Sequence, residues 1–174
     1  MQFCFSRTEI QEVVMIKRKI FSDLRGILIK EFEITPFANY FPTEFQEEYV
    51  SISKKNVLRG LHFQRDPKPQ GKYLSVLSGK IFDVAVDLRV DSPTYLKHVA
   101  NVLSSETSDA VWVPAGFAHG FLALEDNTVV FNRCTNEYNS FLEAGLRWDD
   151  PNLNIKWPIM NPILSEKDKS WEFV

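Results

Sequence analysis

Apolar and polar residues alternate over short stretches closed by turn residues, and no long segment carries a 3.6-residue period. The pattern is clearest after Ile81. There Phe82, Val84, Val86 and Leu88 point one way and Asp83, Ala85, Asp87 and Arg89 the other. Phe45, Glu47, Tyr49, Ser51 and Ser53 share one face of an earlier strand, with Glu48, Val50 and Ile52 on its reverse. Further strands are expected at Val57 to Gln64, Lys72 to Leu77, His98 to Leu103, Ala110 to Val113, Gly120 to Leu124 and Thr128 to Thr135. Breaks recur at Pro67 to Gly71, Ser78 to Gly79, Asp91 to Pro93, Pro114 to Gly116 and Glu125 to Asn127. Many short strands with regular turns in 174 residues predict a β-sandwich or small barrel, and among these a jelly roll. Fourteen Phe, five Tyr and four Trp favour the same class, because aromatic side chains suit a pleated, half-buried surface. Helices are expected only as short pieces: Ile34 to Tyr40 as a turn or single helix, and a start at Ser165-x-x-Asp168. The segment Leu146 to Pro158, with Trp148 and Trp157, reads as an ordered wrap whose indoles need apolar surface to cover. With no repeat, low-complexity tract or linker, residues 1–174 are expected to form one domain.

Twenty Lys plus Arg against 23 Asp plus Glu leave a net charge of -3 with no block of one sign, so attraction to nucleic acid or an acidic membrane is not expected. Cys4 and Cys134 have no CxxC spacing, which favours a reduced, cytoplasmic protein over a disulfide framework. Charges from Arg7 to Lys19 interrupt any apolar run that could act as a signal peptide or span a bilayer.

Function must then rest on polar residues inside apolar strands. Arg59 and His62 sit in Val57-Leu58-Arg59-Gly60-Leu61-His62-Phe63-Gln64, Lys72 opens the next strand, and His119 follows the turn Pro114 to Ala118. Singly, each has a bland reading: Arg59 as an edge charge, the histidines as satisfied core or rim groups, Lys72 as a surface lysine. Asp83 can be a solvated strand residue, and Asp168 the third residue of a helix cap. Arg59 and His62 are three apart, so strict alternation puts them on opposite faces. Gly60 offers a remedy, since glycine within a strand often marks a bulge.

Taken in order, Phe21-Ser22-Asp23-Leu24-Arg25-Gly26 with Glu31, Leu58-Arg59-Gly60-Leu61-His62-Phe63-Gln64, Gln70-Gly71-Lys72, Asp83 to Arg89, Ser92-Pro93-Thr94, Pro114 to Phe121, Trp157-Pro158 and Leu164 to Asp168 resemble the dTDP-4-dehydrorhamnose 3,5-epimerase family of nucleotide-sugar enzymes. The resemblance runs from about Phe21 to Asp168 and implies an all-β fold, a cupin-type jelly roll of antiparallel strands with a few short peripheral helices. In that chemistry a 4-keto group acidifies the sugar hydrogens at C3 and C5. A base removes one to leave an enolate, and an acid reprotonates from the opposite face. The resemblance implies His62 as base with Asp168 orienting it, Lys72 on the developing oxyanion, and His119 with Asp83 as a supporting pair. It implies Arg59 on the diphosphate, and a homodimer in which Arg25 and Glu31 reach the partner's pocket. Metal-dependent cupins carry His-x-His, which is absent among His62, His98 and His119. His98, beside Lys97, reads as exposed, so no metal or cofactor is expected.

Two positions depart from the family's pattern. Asn132 stands where the family has its acid tyrosine, and Glu47 and Tyr49 replace a Gln and an Asn two apart. An amide is not a useful proton donor, so Tyr49, on one face with Glu47 and Ser51, is expected to replace the acid and favour C3, with Tyr138 in reserve. The expected activity is metal-independent epimerisation, at C3 or at C3 and C5, of a nucleotide-diphosphate-linked 4-keto-6-deoxysugar for cell-surface polysaccharide synthesis. A 3,4-ketoisomerase and a non-catalytic sugar-nucleotide-binding cupin remain the alternatives.

Overall fold

The computed structural model describes residues 1–174. In chain order the elements are β1 (Phe3–Arg7), β2 (Val14–Arg18), β3 (Ile20–Asp23), β4 (Gly26–Ile29), α1 (Ile34–Phe37), β5 (Glu47–Ser53), β6 (Leu58–Gln64), β7 (Lys72–Ser78), β8 (Lys80–Asp87), β9 (His98–Ser104), β10 (Asp109–Val113), β11 (Phe117–Ala123), β12 (Thr128–Cys134), β13 (Glu143–Gly145) and α2 (Glu166–Lys169). A six-stranded sheet, β1-β2-β10-β7-β12-β5, faces a five-stranded sheet, β13-β6-β11-β8-β9, while β3 and β4 form a separate hairpin. The named strands all pair antiparallel, giving a cupin-type jelly roll.

Side chains from the inner faces of the two sheets make the central core: Leu74, Val76, Val111, Val113 and Val130 from one, Ile81, Ala85, Val99, Leu103, Phe117 and Phe121 from the other. Each outer face has its own cover. Over the six-stranded sheet, Phe37 and Phe41 pack with Phe3, Val14, Ile16, Tyr73 and Trp112. Phe41 stacks on Trp112 with ring centroids 4.5 Å apart. Over the five-stranded sheet, Leu153, Leu146, Ile155 and Trp157 cover Leu61, Val84, Val86 and Ala118. This is the wrap expected of 146–158, and Trp157 Nε1 donates to Trp148 O at 2.8 Å.

The alternation of β8 therefore carries an inversion. Its apolar row, Val84 and Val86, faces the outer wrap, and its mixed row, Asp83 and Ala85, faces the interior. The sequence pattern missed β1 to β4 altogether. Arg18, which breaks the apolar pattern of β2, is 4% exposed. It is held by Glu31 and by the carbonyls of Ser108, Asp109 and Val76. The strand expected from Gly120 begins at Phe117, so His119 lies within β11 rather than after a turn.

Candidate active site

At one end of the barrel the apolar core gives way to a polar cavity of about 650 Å³, lined by residues of both sheets. From the five-stranded sheet come Arg59, His62, His119 and Phe121, and from the facing sheet Tyr49, Ser51, Lys72 and Asn132. Lys167 and Asp168 of α2 close one side. Tyr49, His62, Lys72 and Lys167 also line an adjoining hollow of about 290 Å³, which Glu47, Gln70, Tyr138 and Glu143 complete.

Arg59 and His62 reach the same cavity because β6 slips register against β11 between His119 and Phe121. Gly60 takes φ +128° there, a region open to glycine and strained for other residues. A side chain would also collide, since a Cβ on Gly60 lies 2.6 Å from Gly120 Cα and 2.8 Å from His119 O. Gly120 is needed for the same approach, its own Cβ position being 2.7 Å from Arg59 O. Its role is close packing, not the strand start read from the sequence.

His62 Nε2 lies 2.5 Å from Asp168 Oδ1. A carboxylate on Nε2 fixes the proton of the neutral ring there and leaves Nδ1 as the free nitrogen. Ser165 caps α2 by accepting from Asp168 N at 3.0 Å, so Asp168 is a capping-position residue whose carboxylate serves His62. Burial pushes the Asp168 pKa up, but hydrogen bonding to His62 and their mutual attraction outweigh it and hold the carboxyl below its usual value. Trp171 packs edge-on to His62, ring centroids 6.2 Å apart, in space that a Cβ on Gly145 would fill. Beside His62 across the β6–β11 pairing, His119 Nε2 meets Asp83 Oδ1 at 2.7 Å, both side chains buried.

On the opposite wall the antiparallel register sets two parallel rows, Glu47–Cys134–Lys72 and Tyr49–Asn132–Leu74. Lys72 is 9% exposed. Burial lowers its pKa, and the nearby Cys134, Glu143, Glu47 and Asp83 only partly restore it. Tyr49, 43% exposed as a residue at the cavity wall, has its phenol pKa raised above the ordinary value by partial burial, with the Cys134 thiol and Glu47 carboxylate adding to the effect. Its hydroxyl therefore keeps its proton at neutral pH. Asn132 is 3% exposed, and its amide nitrogen has no hydrogen-bond partner. Ser51 Oγ is likewise sealed and unpartnered.

Among the other expected residues, Arg59 Nε donates to Ser53 Oγ at 3.0 Å at the edge of the cavity. Glu47 accepts from Tyr138 N at 2.7 Å, and the Tyr138 hydroxyl donates to Glu143 at 2.7 Å. Both Glu47 and Tyr138 lie on the smaller hollow, not on the main cavity. Arg25 does not reach the cavity of its own chain. It sits on the β3–β4 hairpin, its side chain 90% exposed and paired with Asp23. Glu31 is also outside the cavity. It binds Arg18 and accepts from Ser75 Oγ at 2.7 Å on the outer face of the six-stranded sheet. His98 is half-buried rather than exposed, and burial lowers its pKa.

Two contributors were not singled out from the sequence. Lys167 lies beside Asp168 in a motif already noted, but Glu143 stands on a three-residue strand with no pattern to mark it. They pair at 2.7 Å on the wall of the smaller hollow, which Lys167 shares with the main cavity. No group of three or more His, Cys, Asp or Glu is arranged to hold a metal ion.

The cavity thus sets a carboxylate-bound imidazole on one sheet against a buried ammonium and a phenol on the other, with Arg59 and Lys167 able to meet an anion. A sequence profile of the family described as dTDP-4-dehydrorhamnose 3,5-epimerase matches residues 7–174. The dTDP-4-dehydrorhamnose 3,5-epimerase of Shigella flexneri is 42% identical over 164 residues, spanning 93% of this chain and 91% of its own. A crystal structure of dTDP-6-deoxy-D-glucose-3,5-epimerase from Legionella pneumophila with dTDP-4-keto-L-rhamnose superposes with a TM-score of 0.94 at 38% identity, covering 98% of this chain and 92% of that one. A 3'-monoepimerase from Streptomyces bikiniensis, solved with dTDP-quinovose, gives a TM-score of 0.91 at 29% identity over 96% of this chain and 86% of that one.

Proposed function

The chain belongs to the dTDP-4-dehydrorhamnose 3,5-epimerase family, and from that premise we propose that His62, Lys72 and Tyr49 carry out an epimerisation favouring C3 of a nucleotide-linked sugar. The enzyme is an isomerase of 4-keto-6-deoxysugars in deoxysugar biosynthesis. The observation that carries the mechanism is the opposition of two walls: His62 with Asp168 on one, Lys72 and Tyr49 on the other.

His62 Nδ1 takes the proton from C3. The electron pair of that bond becomes the C3–C4 double bond of an enolate, and the charge moves to the C4 oxygen. Lys72 faces that oxygen as a fixed cation, which is worth most where charge appears only in the transition state. The Asp168 carboxylate stabilises the imidazolium formed on His62. Tyr49 then returns a proton to C3 from the other wall, inverting the centre, and regains one from solvent as His62 releases its own. Arg59 takes the diphosphate through its forked donors, joined by Arg25 of the partner subunit in a homodimer. The reaction needs no metal, and a cytoplasmic location agrees with two free cysteines.

The test is solvent exchange. Incubated in D2O with dTDP-linked 4-keto-6-deoxyglucose, the enzyme should place deuterium at C3 by NMR. His62→Ala should slow that exchange by about 10²- to 10⁴-fold, while dTDP still binds through Arg59. Exchange at the parent rate in His62→Ala removes His62 as the base. A carbonyl found at C3 instead of C4 makes the enzyme a ketoisomerase.

A further inference from the structure

The buried amide of Asn132 is a polar group that the reaction above leaves unused. Asn132 sits in the middle of β12, 3% exposed, between Tyr49 of β5 and Leu74 of β7. Its nitrogen is sealed and makes no hydrogen bond. No neighbour on its face bonds it, and Ser51 Oγ, one pair along on β5, is likewise without a partner. Leu74 belongs to the apolar core, and Tyr49 and Cys134 lie close enough to raise the phenol's pKa. Asn132 is one of the residues that line the cavity. A buried amide without a partner costs about 1–3 kcal/mol, so a fold that keeps one at a cavity wall keeps it for a ligand.

Register identifies the atom it meets. Lys72 pairs with Cys134, and Asn132 with Leu74, so Lys72 and Asn132 are diagonal neighbours across β7 and β12, on one face. Diagonal side chains on adjacent strands stand about 7–8 Å apart at the backbone, within reach of one shared atom between their tips. The same wall faces His62, from which the enolate grows. We propose that the Asn132 amide is the second donor to the C4 oxygen, so that Lys72 and Asn132 together form the oxyanion site. This rests on the epimerase reading and adds to it. The amide supplies no proton to carbon, and its strongest hydrogen bond forms when the oxygen carries the enolate charge.

Two variants separate this from packing. Asn132→Leu removes the orphan donor at similar volume. Asn132→Asp keeps the shape, supplies only acceptors at neutral pH and sets a negative charge against the enolate. With dTDP-linked 4-keto-6-deoxyglucose in D2O, both should lose about 10²- to 10³-fold in kcat for C3 exchange, the usual effect of losing one oxyanion donor. KM and dTDP affinity should stay within about threefold. The Tm of Asn132→Leu should equal or exceed the parent's, because nothing in the free protein bonds that amide. Exchange within a few fold of the parent in either variant overturns the proposal, as does a defect confined to KM or a lowered Tm in Asn132→Leu. If the parent itself exchanges no deuterium, the epimerase reading fails first; if the parent exchanges and the variants match it, only the role of Asn132 falls.

Discussion

Tyr49 stands on β5, directly paired with Asn132, on the wall opposite His62. Partial burial raises its pKa above the ordinary phenol value, which is itself far above neutral, so the phenol holds its proton at neutral pH. Tyr49→Phe keeps the ring and removes only the proton. His62 can still take hydrogen from C3 and return deuterium to the same face, so the variant should exchange with retention. Inverted product should fall by at least about 10²-fold while C3 labelling persists, read by NMR of recovered sugar nucleotide. Undiminished inversion leaves Tyr49 as a wall of the pocket. The histidines, the lysine and Asp168 were legible at this scale, because an ordered set of motifs pointed to them. Glu143 and Lys167 were not: a carboxylate on a three-residue strand and a lysine beside an aspartate look like any surface pair until folding sets them on the smaller hollow. Nor does the sequence show that Arg18, an ordinary surface charge by type, is buried and paired with Glu31.

Among elements, the strands that alternation revealed are those with one uniformly apolar row, such as Val84 and Val86 of β8. The pattern located β8 but did not tell which row faces the cavity, since both faces of the sheet are covered. β1 and β2 escaped because Arg7, Lys17 and Arg18 interrupt them, and burying Arg18 needs the distant carbonyls of Val76, Ser108 and Asp109. The turn after β8 shows a further device. Asp87, with no exposed side-chain surface, accepts from Arg89 Nε at 2.8 Å, Ser92 Oγ at 2.6 Å and Thr94 Oγ1 at 2.6 Å. Burial alone pushes the carboxyl up, but these donors outweigh it and hold its pKa well below the usual value. A depressed carboxyl stabilises the fold fully above its unfolded pKa, about 4, and loses that contribution as pH falls toward the folded value. Asp87→Asn should therefore cost about 2 kcal/mol at pH 7, on the order of 5 °C in Tm. Below about pH 4 the gap between parent and variant should narrow. A gap that stays constant from pH 7 to pH 3 refutes the ionic account of this turn.

For the whole molecule, the β3–β4 hairpin poses the outstanding question, because it belongs to neither sheet. Leu24, Ile27 and Leu28 are 108%, 67% and 60% exposed, and none of them enters a core cluster of its own chain. An apolar arm of this kind is stable in water only when another surface covers it, and a second copy supplies one by symmetry. At its root Glu31 is fastened to Arg18 and Ser75, which fixes where the arm leaves the barrel. Arg25, at the tip, is absent from its own cavity, whereas Arg59 is present; in the proposed homodimer a diphosphate needing both cations would draw one from each subunit. Arg25→Ala and His62→Ala should each be nearly inactive alone. Mixed, dissociated and reassociated in equal amounts, they should recover about a quarter of parental activity. Half the dimers are then hybrids, and each hybrid holds one site with both His62 and Arg25 intact. If Arg25 served its own subunit, every site in the mixture would carry one lesion and no activity would return, so the recovered fraction decides whether the pocket is completed across the dimer.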